Sequence, residues 1–356
     1  WPDLAGRAGA WIDAHRPYRI SGALQYQVQT RVRPARTGPL ENTLSRQRKR
    51  KGEPVTGWLN LFKPVDMTST QAVAIVKRLF NAEKVGHGGT LDPLADGILP
   101  IALGEATKTV QWAMDSEKEY VFTIRWGIST ASQDAEAEVT ATSDVRPARE
   151  AVEAALKNYI GRIRQVPPKF SAIKVAGERA YDLARGGGVF ELEAREVDVH
   201  AAKVIGMPDA DHSVIHAVSG KGFYVRAMAR DLAADLGAEG HISQLRRTRV
   251  GAFEAARAVS VADLQALAED RDGLFAHLKP LHAVLNSMPH LQVTAQDAGN
   301  LRQGRTIMLM PHVVEGWRAG RSDEDDRVAL ALAGDDAVAL GEVRAGHFEP
   351  VRVFAL

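Results

Sequence analysis

The chain has 356 residues, of which 45% are hydrophobic and 25% charged, and this is the composition of an ordinary globular protein long enough for two domains. It contains no cysteine, which excludes disulfides, thiolate nucleophiles and cysteine-ligated zinc. Its 45 Lys and Arg residues balance 44 Asp and Glu residues, so the net charge of +1 gives no general sign of a nucleic-acid partner, and no apolar run approaches the ~18–20 residues that cross a bilayer.

Residues 1–53 differ from the rest because they are rich in Arg, Pro and Gly and have no sustained hydrophobic periodicity. We expect a disordered or artefactual extension. The natural start is expected near Leu44 or Ser45, because no methionine precedes Met67. The basic run at 46–51 either binds RNA phosphates or is a solvated tail, and the second interpretation is favoured. The N-terminus lacks the apolar core of a signal peptide, so the expected compartment is the cytoplasm.

Ordered sequence is predicted to begin with a strand and a helix. Trp58–Pro64 is a short apolar strand that ends in Lys-Pro. Thr68, Ser69 and Thr70 are candidate N-caps for a helix whose apolar residues recur at helical spacing up to Phe80.

A loop rich in glycine and proline follows at 84–100. Its glycines permit backbone angles that other residues avoid, and Pro93 fixes its own φ and favours an extended Asp92. An Asp-Pro pair alone indicates only a turn. Here it presents a carboxylate on stiff backbone, five residues after His87.

The complete loop resembles the signature G-H-x-G-T-L-D-P-x-A-x-G-x-L-P of the bacterial TruB-type tRNA pseudouridine synthases, and every fixed position is present. The resemblance implies that Asp92 is the catalytic residue. It implies that His87 fills the gap left by a flipped target base, and that Lys63 gives electrostatic support near the site. A surface position is the alternative for Lys63.

The next predicted element is a strand at 119–126, rich in aromatic and β-branched residues. Tyr120 matches the tyrosine of the family that stacks on the target base, although a core position is the alternative from pattern alone. The loop at 127–139 departs from the family pattern, because Ala131 and Ala137 replace an aspartate and a glycine and leave Asp134.

A helix is predicted at 149–159, followed by a basic segment, rich in Gly and Pro, at 161–188. This segment has six Lys and Arg residues against two acids and resembles the RNA-binding thumb of the family, a mobile arm that closes on phosphates. A merely solvated loop is the alternative. The residues predicted to contact RNA are Arg162, Arg164, Lys169, Lys174 and Arg179.

Two short strands are predicted at 197–205 and 213–219. His212 and His216 have the spacing of a metal pair on a helix, but their surroundings read as extended, so no metal site is predicted.

The motif Gly-x-x-Tyr-Val-Arg then begins a helix, and it matches a second motif of the family. The resemblance implies that Arg226 pairs with the catalytic aspartate and that Tyr224 belongs to the substrate site. A third match places Leu245 in the base pocket. Arg246 and Arg247 either face RNA or form a solvated cluster.

From about His290 the pattern indicates a small β-rich unit that resembles a PUA-like RNA-binding domain. The ranges 328–332 and 337–343 flank Gly334-Asp335-Asp336 as a predicted hairpin. The acidic run at 323–326 suggests that only one face of this unit contacts RNA.

The predicted fold class is α+β, with a mixed, mainly antiparallel central sheet and flanking helices. The predicted domains are an extension at 1–53, a pseudouridine synthase domain at 54–287 and the PUA-like domain at 288–356. By the resemblance, the chain is a monomeric tRNA pseudouridine-55 synthase that recognises the T-arm, without a metal, a cofactor or a protein partner. A glycoside hydrolase with Asp92 and Asp96 as its acid pair and a non-catalytic RNA-binding or tRNA-folding protein are the alternatives.

Overall fold

A computed structural model of the chain describes residues 52–318 and 328–356, apart from residues 172, 176, 181, 182, 184, 185, 187 and 189. The predictions for residues 1–51 and for the acidic run at 323–326 lie outside the described residues. Gly52–Leu356 forms one compact unit. Within the described residues no helix is both long enough and apolar enough to span a membrane.

The described residues before 288 contain fifteen strands. They are β1 (Gly57–Lys63), β2 (Val85–His87), β3 (Asp96–Leu103), β4 (Lys118–Trp126), β5 (Ile128–Thr130), β6 (Val139–Thr142), β7 (Gly161–Gln165), β8 (Lys174–Val175), β9 (Glu178–Arg179), β10 (Arg195–Asp209), β11 (His212–Ser219), β12 (Gly240–Val250), β13 (Phe253–Glu254), β14 (Val259–Ser260) and β15 (Leu278–Lys279). The helices of the same region are α1 (Ser69–Leu79), α2 (Val110–Asp115), α3 (Arg149–Leu156), α4 (Val225–Asp235), α5 (Val261–Ala266) and α6 (Arg271–Ala276), with short 3-10 turns at Gly104–Thr109, Lys157–Tyr159, Ala255–Arg257 and Leu281–Val284.

Eleven of these strands form one central sheet in the described part of the chain, in the order β14-β1-β3-β12-β4-β11-β10-β7, with β2, β13 and β15 paired at its sides. The β1–β14 and β12–β3 pairs are parallel, and the other pairs along this order are antiparallel. The predicted mixed, mainly antiparallel sheet is therefore confirmed.

Apolar side chains explain why these segments pack as they do. Every residue of β3 is buried, which fits a central strand covered on both faces. Of the three predicted N-caps of helix α1, the structure uses Thr68, whose side chain accepts from the Gln71 N–H while the Gln71 side chain accepts from the Thr68 N–H. Its buried residues, with Phe80, pack into the main core against the sheet.

The basic segment at 161–188 is only partly the arm that the sequence suggests. Its first five residues form β7, an edge strand that pairs antiparallel with β10. Strand β10 runs for fifteen residues and is thus longer than the predicted 197–205. Most residues of this edge strand are exposed, so its sequence is as polar and basic as that of a solvated loop. The sequence pattern alone therefore does not distinguish β7 from a loop. The later part contains a small hairpin of β8 and β9.

The C-terminal region contains β16 (His290–Gln292), β17 (Ile307–Met308), β18 (Val328–Ala333), β19 (Asp336–Arg344) and β20 (His347–Val353), with helices α7 (Ala295–Arg302) and α8 (Pro311–Arg318). The strands form a second sheet in the order β16-β18-β19-β20-β17, which includes the predicted hairpin of β18 and β19.

Contacts across the predicted boundary at 287/288 are extensive. One core cluster includes both Trp58 of the central sheet and Phe354 near the C-terminus. Lys108 donates to the Val353 carbonyl at 2.8 Å, and the Arg352 guanidinium lies over the Trp112 ring. The division into two domains stays a prediction.

Candidate active site

A cavity of about 280 Å³ lies where the 84–100 loop meets β4, β12 and the beginning of α4. It brings together six of the residues that the sequence selects and leaves His87 and Lys63 outside its wall. The selected residues in the wall are Asp92, Tyr120, Tyr224, Arg226, Leu245 and Arg247.

Asp92 and Arg226 form an ion pair in this cavity, with 3.0 Å between Arg226 Nη2 and Asp92 Oδ2. Arg226 is only 6% exposed, whereas the Asp92 side chain is one-third exposed at 33%. The guanidinium also donates to the carbonyls of Phe170 and Ser132, at 2.9 and 3.1 Å. Arg226 is thus fixed in place, and the carboxylate that it holds stays accessible from the cavity.

Asp134 is a second acidic partner of Arg226, at 3.5 Å from Nη1. It is only 2% exposed, and its Oδ1 accepts from the Ser132 hydroxyl and from the Glu136 N–H. Burial raises the pKa of Glu136, and Asp134 and Asp92 raise it further. Sequence reasoning did not assign Asp134 to the site, although it is the acid left in the loop that departs from the family pattern.

Two buried polar residues fix the loop that carries Asp92. Lys63 is fully buried and donates to the carbonyls of Pro64 and Met67, both at 2.7 Å, and to the Pro93 carbonyl of the loop at 3.4 Å. Ser69 accepts from the Leu91 N–H and donates to the Leu91 carbonyl. Burial lowers the pKa of Lys63 to about 8, against opposing effects of nearby carboxylates. The surface position considered for Lys63 is therefore wrong.

Arg247 is buried in the cavity wall and is not solvated, and a contact of Arg247 with RNA stays a prediction. It is 3% exposed and donates to the carbonyls of Ile98, Thr90 and Gly89 at 2.8–3.1 Å. Buried guanidinium groups need such partners, and here the carbonyls of the 84–100 loop and of β3 provide them. Arg247 is therefore an anchor of the loop.

Asp96, the second acid of the glycosidase alternative, is held by Arg246 in a two-point ion pair at 2.6 and 2.8 Å. The Arg246 guanidinium also lies over the Phe62 ring. Asp96 does not line the cavity. An RNA contact of Arg246 stays a prediction.

Gly97 has a φ of +109°, and a Cβ at this position would lie 2.2 Å from the Arg247 carbonyl oxygen. We predict that Gly97→Ala lowers the free energy of unfolding by at least about 2 kcal/mol, because backbone strain and a clash add together. Urea unfolding measures this. Gly161→Ala is the matched control, since Gly161 has a φ of +103° but nothing within 4 Å of an added Cβ. Equal losses of unfolding free energy in the two variants would show that local shifts of the structure relieve the clash at Gly97, which would contradict the prediction.

Aromatic residues complete the site. Tyr120 is buried, and burial raises the pKa of its hydroxyl, which interacts with Arg247. Its ring centre lies 6.4 Å from that of Phe223.

His87 lies half-buried at the end of β2. Burial, followed by the charge of Arg247, lowers the pKa of its imidazole. An imidazole with a lowered pKa is neutral at pH 7, as suits a stacking residue. The stacking roles of Tyr120 and His87 stay predictions.

The residues predicted to contact RNA do not all converge. Arg162 and Arg164 are exposed on β7, and Arg162 is paired with Asp198 at 3.3 Å. Lys169 is exposed beyond β7. Lys174 and Arg179 belong to the β8–β9 hairpin.

Comparisons with known proteins identify the fold and the family of the chain. The chain of a solved Cbf5-Nop10-Gar1 complex has the same fold, with a TM-score of 0.63 at 23% identity over 84% of this chain and 85% of that one. This likeness shows the fold. Models of the TruB family pseudouridylate synthase N-terminal domain and of the tRNA pseudouridylate synthase B C-terminal domain match residues 77–225 and 226–286. The chain belongs to the TruB family.

Curated relatives support the same assignment. A protein of Caulobacter vibrioides named tRNA pseudouridine synthase B is 55% identical over 309 residues, which is 87% of this chain and 99% of that protein. A protein of the same name from Rhizobium johnstonii is 48% identical, over 88% of this chain and all of that protein. These comparisons give no support to the non-catalytic alternative.

Proposed function

We propose that the protein isomerises a uridine of tRNA to pseudouridine, at position 55 in the T-loop, with Asp92 as the reacting carboxylate. The observation that carries this proposal is the Asp92–Arg226 pair, which presents a fixed and partly exposed carboxylate to a cavity lined by Tyr120 and Leu245.

The reaction breaks the bond between C1′ and N1 of uridine and rejoins the base through C5. It changes no oxidation state and moves no phosphate. Asp92 attacks the base, attacks the sugar or removes a proton from the sugar. In each case the carboxylate must be ionised, and the Arg226 guanidinium pairs with it at 3.0 Å and fixes its position. Tyr120 provides a stacking face and Leu245 an apolar wall that holds the base away from water.

A base inside a folded RNA loop must leave its stack to reach this cavity, at a cost of a few kcal/mol. His87 fills the gap that it leaves. Exposed basic residues of the 161–188 segment and the PUA-like region offset this cost through phosphate contacts, so binding weakens as salt increases. The protein acts as a monomer in the cytoplasm and recognises the shape of the T-arm.

The test is the conversion of a T-arm stem-loop transcript by the purified protein, followed by chemical mapping of pseudouridine. We expect pseudouridine at position 55 alone. A transcript with cytidine at that position is the control and should stay unmodified. Absence of conversion, or conversion only at other uridines, would contradict the proposal.

A further inference from the structure

Lys118 is a buried cation in the cavity wall that the sequence does not single out. It is 7% exposed and lies at the beginning of β4, two residues before Tyr120. Because side chains two positions apart on a strand point to the same face, Lys118 and Tyr120 line the cavity together. Burial of a lysine ammonium is costly unless strong partners compensate for the lost water, so the burial of Lys118 calls for an explanation.

The hydrogen bonds of Lys118 leave one N–H without a partner among the described residues. Its ammonium donates to the carbonyls of Met114 and Ser116, and it forms no ion pair with a described carboxylate. Arg226 differs, since its charge is balanced by Asp92 and Asp134. Lys118 is therefore a positive charge in the cavity wall with a donor to spare.

The chemistry of the proposed reaction places negative charge on the base by every route open to Asp92. When the C1′–N1 bond breaks, its electron pair goes to N1 and spreads over O2 and O4. When a carboxylate adds to C6 instead, the electron pair of the C5–C6 double bond moves towards O4. Later the C1′–C5 bond forms, C5 loses a proton and N1 gains one, so the base is neutral again.

We propose that Lys118 contacts the substrate base, and that its ammonium donates a hydrogen bond to a uracil carbonyl oxygen and stabilises the negative charge that develops there. This inference rests on the proposed function. A donor fixed in a site that excludes water stabilises such charge far better than water does.

A phosphate is the other anion of the substrate, but the burial of Lys118 favours the base. Residues that contact phosphates are expected to be exposed, because the RNA backbone runs along the protein surface. Arg162, one of the residues proposed for this role, has a side chain that is 70% exposed. Lys118 instead lies beside Tyr120, the proposed stacking face, inside the cavity that holds the base.

The lowered pKa of Lys118 predicts a characteristic pH dependence of the reaction rate. Burial, followed by the charge of Arg247, lowers the pKa of Lys118 to about 8, Asp115 opposes this and Lys221 adds to it. The protonated form is the one that stabilises an anion. We therefore expect the rate of the chemical step to be highest below pH 8 and to fall as the pH rises through 8.

The experiment measures single-turnover rate constants from pH 6.5 to 9.0 at saturating T-arm RNA, together with the dissociation constant of the RNA. Lys118→Met should be about 100-fold slower at pH 7 with little change in RNA binding, the effect of removing one fixed donor. Its rate should no longer fall above pH 8. Lys221→Met is the matched control, because Lys221 is 70% exposed, pairs with Asp115 and does not line the cavity. It should match the wild type at pH 7, and its rate should fall at a slightly higher pH, because Lys221 contributes to the lowered pKa of Lys118.

Three results would overturn the inference. The first is a wild-type rate that does not fall between pH 7.5 and 9.0, which needs no variant. The second is a Lys118→Met rate close to that of the wild type at pH 7. The third is weaker RNA binding with a smaller salt dependence and an unchanged rate at saturation, which would assign Lys118 to a phosphate. Lys118→Arg keeps the charge, so it should restore part of the rate and remove the fall above pH 8. If the wild type makes no pseudouridine at all, the proposed function fails, and not this inference alone.

Discussion

Asp92→Asn should abolish the conversion of uridine to pseudouridine while the protein still binds tRNA. Asparagine has the size of aspartate but can neither attack as an anion nor accept a proton, so we expect a loss of at least about 1,000-fold. The fold should survive, because Arg226 keeps Asp134 and the carbonyls of Ser132 and Phe170 as partners. Pseudouridine mapping measures turnover, and filter binding measures the affinity for tRNA.

Asp96→Asn is the control for this experiment. It removes a carboxylate from the same loop, but one that is paired with Arg246 and does not line the cavity. Turnover should persist in this variant. Appreciable turnover by Asp92→Asn would refute the role of Asp92, and loss of turnover in both variants would point to the loop rather than to one carboxylate.

The sequence is sufficient to predict the parts of the site that depend on local structure. The glycines and Pro93 identify the loop, and the candidate N-caps at 68–70 identify the beginning of α1, which the structure places after Thr68. The pair of Asp92 and Arg226 lies 134 positions apart in the chain, and only the family resemblance could join these two residues.

The environments of the basic residues could not be predicted. Arg246, Arg247 and Arg249 form a basic cluster in sequence, but Arg247 is buried. Arg249 pairs with Glu119 of β4 and with Glu117 just before that strand. The side chains along β12 alternate between the two faces of the sheet. A basic residue becomes an anchor when its strand places it beside carbonyls of a distant loop, and a local pattern contains no information on that placement.

The same reasoning applies to Lys118 and Asp134. Each is a charged residue within a segment whose neighbours give no sign of burial, and each is buried by elements far away in sequence. Asp134 is held beside Arg226 because its loop bridges to β12, where Ile242 donates to the Gln133 carbonyl at 3.0 Å. The structure thus identifies charged residues of the site that are buried by long-range contacts, which the sequence pattern does not reveal.

Arg226→Met tests how far the site depends on this guanidinium. Removal of one partner leaves Asp134 as an unpaired charge in the core, which costs about 3–5 kcal/mol in the free energy of unfolding. Turnover should fall by at least about 100-fold, because Asp92 loses the group that orients it and the electrostatic arrangement of the site is lost. Urea unfolding and single-turnover kinetics measure the two effects.

Two further variants separate stability from catalysis. Arg230 lies one turn after Arg226 on α4, and its guanidinium is 31% exposed and paired with Asp231. Arg230→Met should therefore lower the free energy of unfolding by less than about 1 kcal/mol and leave turnover intact. The double variant Arg226→Met with Asp134→Asn removes the unpaired buried charge, and it should therefore recover much of the lost stability. Turnover should stay low in the double variant, because Asp92 still lacks its partner. If turnover returned together with stability, Arg226 would serve only to neutralise Asp134, and the pair of Asp92 and Arg226 would not be the centre of the site.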